Sequence, residues 1–254
     1  MKNKYIFLAF VFGLVGLLGF GSVASADHSW EAYHWGRTAN PFTLKLGDNL
    51  SSAWDAYLST ASVDWTVSSV LDTTIVSGLG GRNCRATLGK VEVCNKKYGN
   101  NGWLGIAQIW ISGNHITKGV TKMNDTYFSR APYNTPAWKQ FVVCQEVGHT
   151  FGLDHQDENF SNPNLDTCMD YTSNPSTNQH PNAHDYAQLE TIYAHLDSAT
   201  TVGALAPTRG ANQNLETPSD WGRSVRQDRE GRDSVFVRDL GKDTKVLTHV
   251  FWTE

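Results

Sequence analysis

The chain has 254 residues, a formal net charge of −4, 40% hydrophobic residues and 18% charged residues. This is the composition of a globular protein and not of a disordered chain, which has fewer apolar and more charged residues. The mild acidity argues against a nucleic-acid-binding protein, because such proteins usually carry a basic excess.

Residues 1–26 are predicted to be a secretory signal peptide. Lys2 and Lys4 are basic, residues 5–20 form an apolar stretch, and residues 24–26 are small, as a cleavage site requires. The alternative is an uncleaved membrane anchor, but the apolar stretch is shorter than the about 20 residues that span a bilayer. We therefore expect a secreted, extracellular protein with no membrane segment after cleavage.

The next part of the chain predicts short strands and one helix. Residues 42–46 alternate as a strand does, and an apolar stripe from 50 to 61 predicts a helix with Asp48 or Asn49 as its N-cap. Further strands are predicted at 73–76, 91–93, 104–112 and 116–123.

A second helix is predicted at 136–152, with Thr135 as its N-cap and Pro136 in its first turn. A last helix is predicted to start at Pro181 and to continue to about residue 196. Residues 199–219 are small and polar, with two prolines, and are predicted to form a linker.

The C-terminal tail (residues 220–254) has alternating stretches at 234–240 and 245–252 around Gly241-Lys242, which is typical of a β-hairpin. It is too short for much of a core of its own, so it packs on the main domain or belongs to a small β-module. The predicted organisation is a signal peptide (1–26), a main domain (27–198), a linker (199–219) and a β-rich C-terminal extension (220–254).

Four cysteines follow the signal peptide: Cys84, Cys94, Cys144 and Cys168. An even number in an oxidising compartment indicates two disulfides, with three possible pairings. Cys84 and Cys94 are close in sequence, on either side of a turn.

The chemistry is concentrated between residues 145 and 155. Gln145 and His149 are one helical turn apart and share a face, so both can bind one metal ion. Glu146 can reach a water on that metal, and Gly152 tolerates the positive φ of a turn that brings His155 back as a third ligand. Three protein ligands and an open water position define a catalytic zinc site, in which a carboxylate takes the proton of the water.

The pattern E-x-x-H-x-x-G-x-x-H from Glu146 to His155 resembles the metzincin zinc endopeptidases, and residues 168–171, with Met169, resemble their Met-turn. The resemblance covers about residues 30–197. It implies an α+β domain with a twisted mixed sheet, an active-site helix, the Met-turn and a C-terminal helix. In some metzincins a tyrosine at the position of Tyr171 contacts the zinc or stabilises the oxyanion; the alternative is a packed, hydrogen-bonded tyrosine.

The resemblance also implies the disulfide pairing. In a metzincin-like fold the segments around Cys144 and Cys168 pack against each other at the metal. The predicted pairs are therefore Cys84–Cys94 and Cys144–Cys168.

Gln145 departs from the family, in which the first zinc ligand is a histidine. Its carbonyl oxygen can coordinate zinc but is a poorer ligand than imidazole. Three interpretations stay open: Gln145 is a working ligand, water or another residue completes the site, or the protein is a metal-poor relative that binds without cutting.

The predicted function is that of a monomeric, zinc-dependent endopeptidase acting on a protein or peptide substrate. Zn²⁺ is bound by His149, His155 and Gln145, and Glu146 and Tyr171 are the predicted catalytic residues. The alternative is a secreted, non-catalytic binding protein. Four other histidines show no partner pattern (His28, His34, His115 and His249), and three are predicted to be surface or capping residues (His180, His184 and His195).

Overall fold

The computed structural model describes residues 28–204 and 215–254. The predicted signal peptide and residues 205–214 of the predicted linker lie outside these ranges. Within the two described ranges, no helix is long and apolar enough to cross a membrane.

The described residues form four α-helices and one mixed sheet of nine strands. The strands are β1 (His34–Trp35), β2 (Phe42–Asn49), β3 (Leu71–Ser77), β4 (Val91–Lys96), β5 (Trp103–Ser112), β6 (His115–Asn124), β7 (Arg223–Gln227), β8 (Asp233–Gly241) and β9 (Thr244–Trp252). The helices are α1 (Asp55–Trp65), α2 (Asp125–Phe128), α3 (Pro136–His149) and α4 (Ala183–Ile192).

The sheet has a parallel half and an antiparallel half. The strand order is β3-β2-β4-β6-β5-β9-β8-β7, and β1 pairs with the start of β6. Strands β1, β2, β3, β4 and β6 pair in parallel, whereas every pair from β6 and β5 to β7 is antiparallel. The predicted hairpin is β8–β9, and β9 pairs with β5 along nearly its whole length, so the tail extends the main sheet.

Two predicted helix starts are wrong. Strand β2 continues to Asn49, which pairs with Cys94 of β4, so helix α1 begins only at Asp55. Asp48 accepts a hydrogen bond from the Leu50 amide at 2.9 Å, which makes a local turn and not a helix cap. Helix α4 begins after Pro181, because Asn182 and Asp185 form a capping box.

Helix α3 is the buried centre of the fold. The Thr135 hydroxyl accepts a hydrogen bond from the Trp138 amide and Pro136 occupies the first turn, both as predicted. Every residue from Gln140 to His149 is buried, because α3 packs between α1 and the sheet face that carries β5 and β6. The fold is therefore α+β with a mixed sheet, as predicted from the sequence.

Both predicted disulfides are present. Cys84 is bonded to Cys94, and Cys144 is bonded to Cys168. The second bond ties α3, next to the predicted zinc-binding motif, to the segment that carries Met169. That methionine is fully buried, and its Sδ would lie 2.8 Å from a Cβ added to Gly148 of α3.

Candidate metal centre

The end of α3 brings two predicted ligands together. The helix ends at His149, and Gly152 then adopts a φ of +96°. A side chain at Gly152 would also meet the Tyr33 carbonyl oxygen at 2.3 Å, so only glycine fits this turn. The turn returns the chain so that the Nε2 atoms of His149 and His155 lie 3.0 Å apart.

The hydrogen bonds of these two rings determine which nitrogen carries the proton. His149 Nδ1 donates to the Leu153 carbonyl oxygen at 2.9 Å, and His155 Nδ1 donates to Glu158 Oε1 at 3.1 Å. The Leu153 carbonyl and the Glu158 carboxylate carry no proton to donate, so Nδ1 of each neutral ring carries the proton. Its Nε2 is then unprotonated and can only accept. Two acceptors therefore face each other at a distance that a shared cation explains.

This arrangement fits zinc. Tetrahedral zinc with Zn–N bonds of about 2.0–2.1 Å places two ligand nitrogens about 3.3 Å apart. Burial lowers the pKa of His149 well below its ordinary value, which keeps the ring in the neutral form that binds metal.

The third imidazole is that of His249 on β9, which the sequence analysis did not identify as a ligand. Its ring centroid lies 4.2 Å from that of His149 and 4.7 Å from that of His155. One ligand atom from each of the three histidines lies within 4.8 Å of the others. His249 is fully buried, and burial also lowers its pKa well below the ordinary value.

The pairing of β9 with β5 places His249 at this position. His249 pairs with Ala107 of β5, and the alternate residues Leu247 and Phe251 belong to the main core on the side of α3. A histidine between two inward-facing apolar residues of a strand was the available sequence signal.

Gln145 lies one turn before His149 and is fully buried. Its Nε2 donates to the Cys168 carbonyl oxygen at 2.9 Å, so the segment before Met169 holds the amide group. Its Oε1 has no hydrogen-bond partner among the described residues. Gln145 as a zinc ligand stays a prediction.

Glu146 lies beside the three imidazoles. It is fully buried, and neither carboxylate oxygen has a hydrogen-bond partner within the described ranges. Burial raises the pKa of this carboxyl well above its ordinary value. Oε2 lies 3.7 Å from His249 Nδ1, and Oε1 approaches the backbone of β5 so closely that a Cβ on Gly105 would lie 2.4 Å from it.

Tyr171 also reaches the cluster. Its hydroxyl lies 3.0 Å from His249 Nε2, and its ring centroid lies 4.3 Å from that of His155. Burial raises the pKa of Tyr171 well above the ordinary value, so the hydroxyl keeps its proton and can donate it in a hydrogen bond.

A polar network supports His155 from outside. Arg226 of β7 donates to both carboxylate oxygens of Asp154, at 2.5 and 2.6 Å, and lies 3.6 Å from Glu158. Burial alone would raise the pKa of Asp154, but the Arg226 hydrogen bonds and the electrostatic interactions with His155, Arg226 and His149 together outweigh it and lower that pKa to about 2. The tail therefore contributes both an imidazole and an arginine to the region.

The centre is enclosed. The three imidazoles, Glu146 and Tyr171 are each at most 7% exposed. The Trp30 ring stacks on His149 with a centroid distance of 4.8 Å and an interplanar angle of 7°. Strand β9 also takes part in the enclosure, because His249 itself belongs to it.

Comparisons with known proteins give distant structural likenesses. No protein-family model and no curated protein sequence matches the chain. Two structures of myroilysin are similar at 13% and 14% identity, with TM-scores of 0.39 and 0.36. They cover 66% and 63% of this chain, and 99% and 86% of their own chains.

High choriolytic enzyme 1, a hatching-enzyme zinc protease from the medaka fish Oryzias latipes, is similar at 9% identity with a TM-score of 0.36. The match covers 63% of this chain and 94% of that one. Structural similarity at this level does not indicate function, so the chemistry is inferred from the residues of the centre.

Proposed function

We propose that this protein is a secreted, zinc-dependent endopeptidase with His149, His155 and His249 as zinc ligands. The observation that carries the proposal is the pair of imidazole Nε2 atoms 3.0 Å apart, beside a buried carboxylate that has no hydrogen-bond partner among the described residues. The predicted signal peptide and the two disulfides support secretion.

The third ligand is assigned to His249 in preference to Gln145. Imidazole is a better zinc ligand than an amide oxygen. The Gln145 amide already donates to the Cys168 carbonyl oxygen, which gives this residue a structural role in joining α3 to the next segment.

Bound zinc would lower the pKa of a water molecule and polarise the scissile carbonyl. Glu146 accepts the proton of that water and transfers it to the leaving nitrogen, as a general base and then a general acid. Tyr171 donates a hydrogen bond toward the oxygen that gains negative charge.

A second candidate function is a secreted protein that binds zinc without cutting peptides. The burial of every residue in the centre favours it, because a peptide bond has to reach Glu146 to be hydrolysed. The peptidase proposal therefore requires that the centre open when substrate binds.

Peptide cleavage by the purified full chain separates the two candidates. We expect casein hydrolysis that a chelator abolishes and added zinc restores. Glu146→Gln should lower the rate by about 10²–10⁴-fold, because a general base contributes that much, while its zinc content stays unchanged. Glu190→Gln is the matched control and should keep full activity, because the Glu190 carboxylate is exposed and accepts a hydrogen bond from Ser69. Zinc-loaded wild type without hydrolysis would leave only the non-catalytic function.

A further inference from the structure

A second cluster of metal-binding side chains lies outside the enclosed centre. We propose that His34, His115 and Asp197, with His195 beside them, form a structural site for a divalent transition metal such as Zn²⁺. This second site shares no residue with the enclosed centre and does not depend on the peptidase proposal.

Strand pairing and one ion pair assemble the cluster. His34 of β1 pairs directly with His115 of β6, which places their side chains next to each other. His195 and Asp197 follow α4, and Arg37 holds this segment. Its Nη1 donates to Asp197 Oδ2 at 2.7 Å, and its Nη2 donates to the Tyr193 carbonyl oxygen at 2.8 Å.

Three ligand atoms converge, because those of His34, His115 and Asp197 all lie within 4.8 Å of one another, and His195 lies beside them. Asp197 Oδ1 lies 3.0 Å from His115 Nε2, 3.3 Å from His34 Nε2 and 3.6 Å from His195 Nε2. His195 Nε2 lies 3.2 Å from His34 Nε2. These separations are close to the about 3.3 Å expected between ligands of tetrahedral zinc.

The hydrogen bonds of His34 also indicate a cation in this cluster. His34 Nδ1 lies 2.7 Å from the Ala32 carbonyl oxygen and must donate to it, so Nε2 of the neutral ring is an acceptor. That acceptor faces the carboxylate oxygen of Asp197, which is also an acceptor. A metal ion between them would satisfy both, and the Ala32 carbonyl would orient the ring as outer-shell partners of metal-bound histidines do.

The ligand set indicates the metal and its role. Two imidazoles and one carboxylate favour zinc over calcium or magnesium, which prefer oxygen ligands. A bound ion would fasten β1 and the start of β6 to the chain after α4.

The competing arrangement has no metal. His115 would donate its Nε2 proton to Asp197, and His195 would donate its own to His34. His34 and Asp197 would still face each other as two acceptors unless His34 is protonated. The cluster would then be a hydrogen-bonded group of histidines, and the experiment distinguishes this from a metal site.

The test is zinc content of the purified full chain after equilibration with zinc and removal of loosely bound metal. We expect two zinc ions in wild type and one in the His115→Ala/His195→Ala double variant. The side chains of His115 and His195 are 41% and 55% exposed, so their removal should leave the fold intact. His180→Ala is the matched control, because His180 is 56% exposed and paired with Asp64, and it should keep two zinc ions.

Circular dichroism of the double variant verifies that it folds. His149→Ala should keep the zinc of the second site, which separates this proposal from the peptidase proposal. Suppose that wild type contains only one zinc ion. If the double variant retains this ion and His149→Ala loses it, the second site is overturned. If instead only the double variant loses the single zinc ion, the second site is supported and zinc binding at the enclosed centre is overturned.

Discussion

The two histidine clusters differ in how the chain assembles them. The enclosed centre takes His149 and His155 from one local motif and adds His249 from a strand far along the sequence. The half-exposed cluster has only His195 and Asp197 near each other, and it receives His34 and His115 through strand pairing. In both clusters, hydrogen bonds to Nδ1 leave Nε2 atoms facing other acceptors, so the same chemical reasoning indicates a cation in each.

The carboxylates distinguish the proposed roles of the two clusters. Glu146 is buried, has a raised pKa and has no hydrogen-bond partner among the described residues, as a proton-transfer group requires. Asp197 accepts hydrogen bonds from Arg37 through Oδ2 and turns Oδ1 toward the imidazoles. A carboxylate held in this way can bind a metal but is poorly placed to move protons between reacting groups.

The largest effect that tests this comparison should come from His249→Ala. We expect zinc affinity of the enclosed centre to fall by more than about 100-fold, because loss of a ligand exceeds the about 10–100-fold cost of losing an outer-shell partner. Competition with a chromophoric chelator measures the affinity. The His115/His195 cluster provides an internal control, since its metal content should not change. Unchanged affinity at the enclosed centre would remove His249 from the ligand set.

A smaller effect is expected from Glu158→Ala. Glu158 accepts the Nδ1 proton of His155, so its loss frees the ring to turn and should weaken zinc binding by about 10–100-fold. The same competition assay applies. Asp157→Ala is a matched control, because Asp157 is a nearby acid whose side chain contacts Arg229, Asn159 and Asn162 and not an imidazole. Equal losses in both variants would point to a general disturbance of the loop.

The smallest effect on zinc should come from Gln145→Ala. Since Gln145 donates to the Cys168 carbonyl oxygen, we expect its loss to lower the free energy of unfolding by about 1–3 kcal/mol, the cost of an unpaired buried group. Zinc affinity should stay the same, and Gln145→His should not increase it. Denaturant unfolding and chelator competition measure the two quantities. A large loss of zinc affinity in Gln145→Ala would instead show that its Oε1 binds the metal.

The sequence by itself determined the local parts of this protein. Thr135, Pro136 and the spacing of apolar residues predicted α3, because helix caps and helical periodicity depend on neighbours in sequence. The turn at Gly152 depends on one residue's freedom to adopt positive φ. The resemblance to metzincins further implied the Cys144–Cys168 bond between two segments that pack at the centre.

Only the tertiary structure decided which distant residues join these parts. The alternation in 245–252 predicted a strand but could not show that it pairs with β5, and this pairing brings His249 to His149. The pairing of His34 with His115 was equally invisible, because strand register depends on partners far apart in sequence. Helical spacing is a local property of the chain, whereas a sheet becomes defined only when its strands meet.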